Sequence, residues 1–184
     1  MWVVVFKRRV LKMKKLVILF FALLVTIPCF AKEDAVIKLS LWDQMAVAAP
    51  NNKHEVTGLD FGIGSKTDSV TGLQLDLIWS ETNYQLKGVS SAWLVNMANQ
   101  VKGFQTAAFV RATDVVGVQL GAVNMTHSMN GVQLAFYNQA EQLHGLQLGF
   151  INYAREINQG LQIGLLNIAE NGYLPVMVFV NGRF

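Results

Sequence analysis

Very little in this chain is available for cross-linking, kinking or charge repulsion. Its 184 residues include a single cysteine, Cys29, three prolines and 15 glycines, which excludes a disulfide scaffold and the collagen-like and proline-rich classes. Charged residues make up only 15% of the chain and apolar ones 52%. A disordered tail needs the opposite, low hydrophobicity with high net charge. The main apolar stretch, Leu16 to Ile27, is shorter than the roughly 20 residues of a membrane-spanning helix. What is left is one ordinary, rather apolar domain.

The excess of positive charge is local. Six of the 15 basic residues fall in the first 15 positions, and the formal net charge is +3. A basic start, the apolar stretch, then Pro28-Cys29-Phe30-Ala31 before the polar Lys32-Glu33-Asp34 describe a secretory signal peptide over residues 1–31. Met13-Lys14-Lys15 is itself a good leader start, so a reading of 1–12 as an over-extended translation start stays open. Removal of 1–31 leaves nine basic and twelve acidic groups. The net charge becomes about −3, and nucleic-acid binding loses its main support. An acylated Cys29 would want a small residue before it, where Pro28 stands. Cleavage after Ala31 removes the only thiol, and with it thiol catalysis and thiolate metal binding.

The strongest signal is an internal repeat. Glycine followed by an apolar residue recurs at Gly58, Gly72, Gly88, Gly103, Gly117, Gly131, Gly145 and Gly160, with gaps of 14 to 16 residues. Counting each glycine as position 1, position 3 is glutamine at Gln74, Gln105, Gln119, Gln133, Gln147 and Gln162. Position 8 is asparagine at Asn124, Asn138, Asn152 and Asn167, with Asn96 one residue late. Position 10 is small at Ala112, Thr126, Ala140, Ala154 and Ala169, and an apolar residue usually sits two before the glycine. Within Gly145–Asn152 side chains alternate with period two, which means strand. A unit of this length has no room for a strand plus a useful helix, so the chain reads as all-β.

Two architectures fit. In a β-solenoid each unit is one coil, coils stack in parallel at about 4.8 Å, and repeated amides form ladders along the axis. In an antiparallel meander each unit is one strand, and about ten such strands close a barrel of outer-membrane type. The amide columns favour the solenoid, because stacking in register is what makes a repeated Gln or Asn useful. Residues 32–55 then form an N-terminal cap strand, 56–172 the tandem repeats and 173–184 a C-terminal cap strand, set off by Pro50-Asn51-Asn52 and by Asn171-Gly172 before Pro175. Leu146, Leu148 and Phe150 are expected to form the inward wall, with Gln147, Gly149 and Ile151 facing out.

The blocks GVQLGAVN, GVQLAFYN, GLQLGFIN and GLQIGLLN, with the ending NGYLPVMVFVNGRF, resemble the bacterial surface-repeat proteins catalogued in spirochaetes. Those proteins carry tandem G-[VL]-Q-[IL]-G-[LF]-[VIL]-N units behind a secretion signal. The resemblance covers about 57–184 and fades at GVSSAWLVN and GFQTAAFV, where a Gln or Asn is lost. It implies an extracytoplasmic, envelope-associated protein in the periplasm, the outer membrane or at the cell surface. It brings no catalytic residue and no cofactor.

Chemistry is sparse in the residues themselves. His127 and His144 occupy different repeat positions, so they build no metal ladder. Gly62-Ile63-Gly64 lacks the third glycine and the lysine of a phosphate loop. Asp60, Asp68 and Asp76 do not follow the calcium-binding nonapeptide pattern and read as surface acids. No catalytic, cofactor or metal residue is therefore expected, and the chain reads as a non-enzyme. The candidate binding residues are Trp79, Trp93 and Arg111, which depart from the repeat, together with Tyr137 and Ile151 of the apolar position 7. An apolar ridge of that kind points to a macromolecular partner, a membrane or self-association. A secreted enzyme is the least favoured class, because its machinery would have to sit outside a nearly uniform repeat.

Overall fold

The computed structural model describes residues 35–43, 45–48 and 55–184. The expected leader, its cleavage site, Cys29, His54 and the Pro50-Asn51-Asn52 break lie outside the described residues. Every regular element described is a strand: β1 (Ala35–Trp42), β2 (Met45–Ala48), β3 (Glu55–Ser91), β4 (Val95–Thr106), β5 (Phe109–Leu120), β6 (Val123–Ala169) and β7 (Val176–Arg183). They hydrogen-bond in the order β2-β1-β3-β4-β5-β6-β7.

The pairing is that of a solenoid. Strand β4 lies parallel on the end of β3, β5 on β4 and the start of β6 on β5. Gly88, Gly103, Gly117 and Gly131 are successive register partners. Parallel partners one repeat apart exclude the antiparallel barrel. Strands as long as the 37 residues of β3 and the 47 of β6 are continuous because the chain winds on with little interruption of its ladder. Both ends are closed by antiparallel strands, β2 on β1 and β7 on residues 160–168. At the C-terminal turn the Asn171 amide accepts from the Ile157 N–H (2.8 Å) and donates to its carbonyl (3.1 Å), taking the place of a strand partner.

Glycine at position 1 is set by stacking. Gly117 and Gly131 have φ of 144° and 141°, a region that L residues rarely enter. A Cβ on Gly131 would overlap the carbonyl oxygen of Gly117 one coil below. Where a unit is longer, the surplus sits at a bend. Residues 92–94 take the place that 107 and 108 hold one coil later, so Asn96 falls into register with Val110, which is itself in register with Asn124.

Which face is inside differs from the expectation. Gln147 is 0% exposed and Phe150 is 52% exposed, while Leu146 and Leu148 lie half-buried on the outer side. The expected inward wall therefore points out, and Gln147, expected outside, is core. Ile151 is exposed, as expected. The physical reason lies in the stacking: a buried polar group left unpaired costs about 1–3 kcal/mol, and inside the coils each amide meets an identical one a repeat away. The same amides also reach backbone carbonyls. Asn124, Asn138 and Asn152 donate to the position-4 carbonyls of the next coil, those of Leu134, Leu148 and Ile163, at 2.8–3.1 Å. Gln147 and Gln162 donate across their own coil to the position-9 carbonyls of Tyr153 and Ile168, both at 3.2 Å. Leucine at either place would break the row and leave the amides of the neighbouring coils short of a partner.

The other half of the interior is apolar. Small residues at position 10, among them Ala140, Ala154 and Ala169, pack with Met129, Leu143 and Ile157 of the column before the glycine in one contiguous cluster. The coil is narrow, so one large apolar column faces a column of alanine-sized side chains.

Candidate functional site

Two features of the repeat units stand apart from simple stacking: a buried polar row and an exposed apolar face. The row runs the length of the repeats. The Nε2 of Gln162, Gln147, Gln133 and Gln119 each donate to the Oε1 one coil earlier, at 2.7, 2.8, 2.9 and 3.1 Å. Gln105 continues to Asn96 Oδ1 (2.8 Å), Asn96 to Ser90 (2.8 Å), Ser90 to Gln74 (3.1 Å) and Gln74 to Asp60 (3.2 Å). Every donor points toward the N-terminal end, where a carboxylate receives the last one. The Asn row runs the other way, Asn124 to Asn138 to Asn152 to Asn167 at 2.8–3.1 Å, so the two sets of amide dipoles oppose each other where both exist.

Asp60 and Asp76 are not the surface acids expected. Asp60 occupies position 3, the glutamine place, and accepts from Ser40 (3.1 Å), Ser65 (2.6 Å) and Thr67 (3.0 Å) besides Gln74. Lys38 is buried beside it, 4.0 Å from Oδ2, donating to Thr67 Oγ1 (2.7 Å) and the Lys66 carbonyl (2.9 Å). Burial pulls the Lys38 ammonium below its ordinary value, with Asp60 and Asp76 opposing that pull. Asp76 is 6% exposed, and neither of its carboxyl oxygens has a partner in hydrogen-bonding geometry among the described residues. Burial first, and then the Asp60 charge, push its carboxyl up from 3.8 to about 7, against the nearby Ser80 hydroxyl and Lys38. Asp60, with its four donors, ties the first coils together, while Asp76 beside it is left without one among the described residues.

The outer surface is divided by repeat position. Between Gly58 and Glu170 the only charged residues at positions 1–7 are Asp60 and Asp76, and both point inward. Every other charge lies at position 9 or beyond, from Lys66 and Arg111 to Glu141, Arg155 and Glu170. Positions 2, 4 and 6 carry outward apolar side chains in nearly every coil. Over the last four coils they shape an open apolar groove of about 640 Å³. Its floor is the small position 5, at Ala135, Gly149 and Gly164, and its walls are position 4 (Leu134, Leu148, Ile163) and position 6 (Phe136, Phe150, Leu165). The Phe136 and Phe150 rings stack at 5.2 Å with 17° between planes, and Phe179 and Val180 of β7 close the groove at its end. The chain is thus amphipathic around its circumference, as a surface helix is along one stripe.

The candidate binding residues fall in several places. Trp79 is in register with Val95, Val95 with Phe109, and Phe109 with Val123, which puts it in the position-7 column and leaves Ser80 in the asparagine column. Its indole meets Trp42 edge-on at 6.1 Å. Trp93 projects from the lengthened bend, 76% exposed, and Arg111 is exposed at position 9 between Met97 and Met125. The three lie in three different columns of neighbouring coils. Tyr137 and Ile151 share position 7 in adjacent coils, on the border of the apolar face. Sequence reasoning missed positions 4 and 6, although a signal was present: no repeat unit carries an outward charge before position 9. Comparison with protein-family models, curated proteins and solved structures finds no match.

Proposed function

We propose that this is an exported, envelope-associated repeat protein with a structural or binding role and no active site, working through the apolar half of its circumference. One observation carries the reading: outward charge is absent from positions 1–7 in every coil. A solvated surface of a soluble monomer does not exclude charge from half its perimeter, and contiguous apolar area of that extent marks an association surface. The basic-then-apolar leader pattern and the resemblance to spirochaete-type surface repeats support the envelope as its place. The regularities of the repeat, namely stacked glycines, amide rows and an alanine column, all serve stacking, and none assembles an acid, a base and a nucleophile at one point.

Fractionation of cells expressing the full-length reading frame tests this. The chain is expected outside the cytoplasm with Lys32 as its first residue. Cytoplasmic chain with its leader intact overturns the reading.

A further inference from the structure

We propose that the apolar face is covered by the same face of a second copy of this chain, in a two-fold dimer whose axis runs parallel to the solenoid axis. The inference rests on the reading of this face as the working surface and names its occupant. Three observations choose a second copy.

The first is shape. Column 6, with Phe136, Phe150 and Leu165, is a ridge, and the neighbouring column 5, with Ala135, Gly149 and Gly164, is a furrow. A two-fold axis between the two columns and along the stack sets each ridge into the other copy's furrow. A two-fold axis across the stack would set ridge against ridge. The pairing is therefore parallel, and each coil faces its own counterpart, as an isologous interface requires.

The second is charge. A self-pairing face must not repel itself, and this one has no outward charge along its whole length. A bilayer surface is bound more often through a basic border, whereas the charges around this face are mixed: Lys87 and Lys102 stand before the glycine column, and Glu81, Arg111, Glu141, Arg155 and Glu170 lie on the opposite half.

The third is area. Coil spacing of about 4.8 Å over the eight glycines, and a width of six residue steps of about 3.3 Å, make a face of roughly 700 Å² before side-chain relief is counted. A standard stable interface buries about 800 Å² on each partner. Its backbone polar groups are already engaged between coils, so covering it leaves no new unpaired donors.

The test is the mass in solution of protein purified after expression from the full-length frame, measured against concentration. A dimer is expected. Phe136→Asp with Phe150→Asp is expected to raise its dissociation constant about a hundredfold or more, with the circular dichroism spectrum unchanged. Should that pair fail to fold, Ala122→Cys in a Cys29→Ser background, at position 6 close to the axis, is expected to cross-link to its counterpart with a short bismaleimide. Thr113→Cys on the charged half is not. A folded monomer at every concentration overturns the pairing and leaves the envelope reading standing, since fractionation tests the latter separately. A dimer indifferent to the paired Asp substitutions, or cross-linked through Thr113→Cys, overturns it too. Monomers that float with phosphatidylcholine vesicles and lose this with the paired Asp substitutions replace the second copy by a lipid surface.

Discussion

Asp76 shows how much one residue weighs in a narrow interior. Its carboxyl is buried beside Asp60, Lys38 is committed to Thr67 and the Lys66 carbonyl, and among the described residues no donor reaches it in bonding geometry. The folded chain therefore holds the proton up to about pH 7, whereas a free aspartate releases it near 3.8. Below both values both states hold the proton, and ionisation adds no cost. As pH rises between them the unfolded chain ionises first, so stability falls through that window and stays lower above pH 7. A rise of about three pKa units corresponds to roughly 4 kcal/mol. Asp76→Asn is expected to leave the melting temperature unchanged near pH 3 and to raise it at pH 8. Melts at both values check this, and a variant no more stable at pH 8 would mean that Asp76 is already solvated.

The coil is the element that matters, and its amides work as rows rather than as pairs. Each row ends on an unused acceptor. Among the described residues Gln162 Oε1 has no donor, since β7 and not another coil is stacked on it, and Asn124 Oδ1 has none because Val110 stands in the asparagine column one coil earlier. Val110 sits in a small apolar cluster with Ala92 and Ala107, where the shortened and lengthened bends meet. Val110→Asn places a donor one coil below Asn124 and is expected to stabilise the chain by about 1 kcal/mol, the usual net value of one added hydrogen bond. Urea unfolding of the two chains measures it. A loss instead would show that the apolar cluster outweighs the extended row. The glycine column limits what else can change, since a Cβ at Gly131 meets backbone and not a flexible side chain.

At the scale of the whole molecule one wall of the coil is inside-out relative to a common β-sandwich, with amides lining the interior and Leu146, Leu148 and Phe150 outside, while the facing wall is an ordinary apolar core. Phe150 and Ile157 separate the two arrangements. Ile157 is fully buried among Leu143, Ala154 and Ala169, and Phe150 is half exposed and stacked only on Phe136. Ile157→Ala is expected to cost about 2–5 kcal/mol, as large-to-small core changes do. Phe150→Ala is expected to cost at most about 1 kcal/mol, the worth of one aromatic pair. Both are measured by denaturant unfolding over a series of protein concentrations, which separates any contribution of self-association. A reversed order would restore the inward aliphatic wall.

Much was legible before any coordinate. The glycine spacing, the period of two, the amide columns and the wish of identical amides to lie on one another all follow from the repeat itself, and together they select a solenoid over a barrel. The exclusion of charge from positions 1–7 is also written in the residues. What the residues do not say is parity. An alternating strand has two equivalent readings, and a shift of one exchanges its faces. Leu146, Leu148 and Phe150 against Gln147 is a choice that hydrophobicity alone makes the wrong way. Only the closed coil decides it, because only there does each amide meet its counterpart one coil away and a backbone carbonyl besides, as Asn138 meets Asn152 and Leu148, and Gln147 meets Gln133 and Tyr153. The apolar residues, left outside, become the face through which the molecule meets something else.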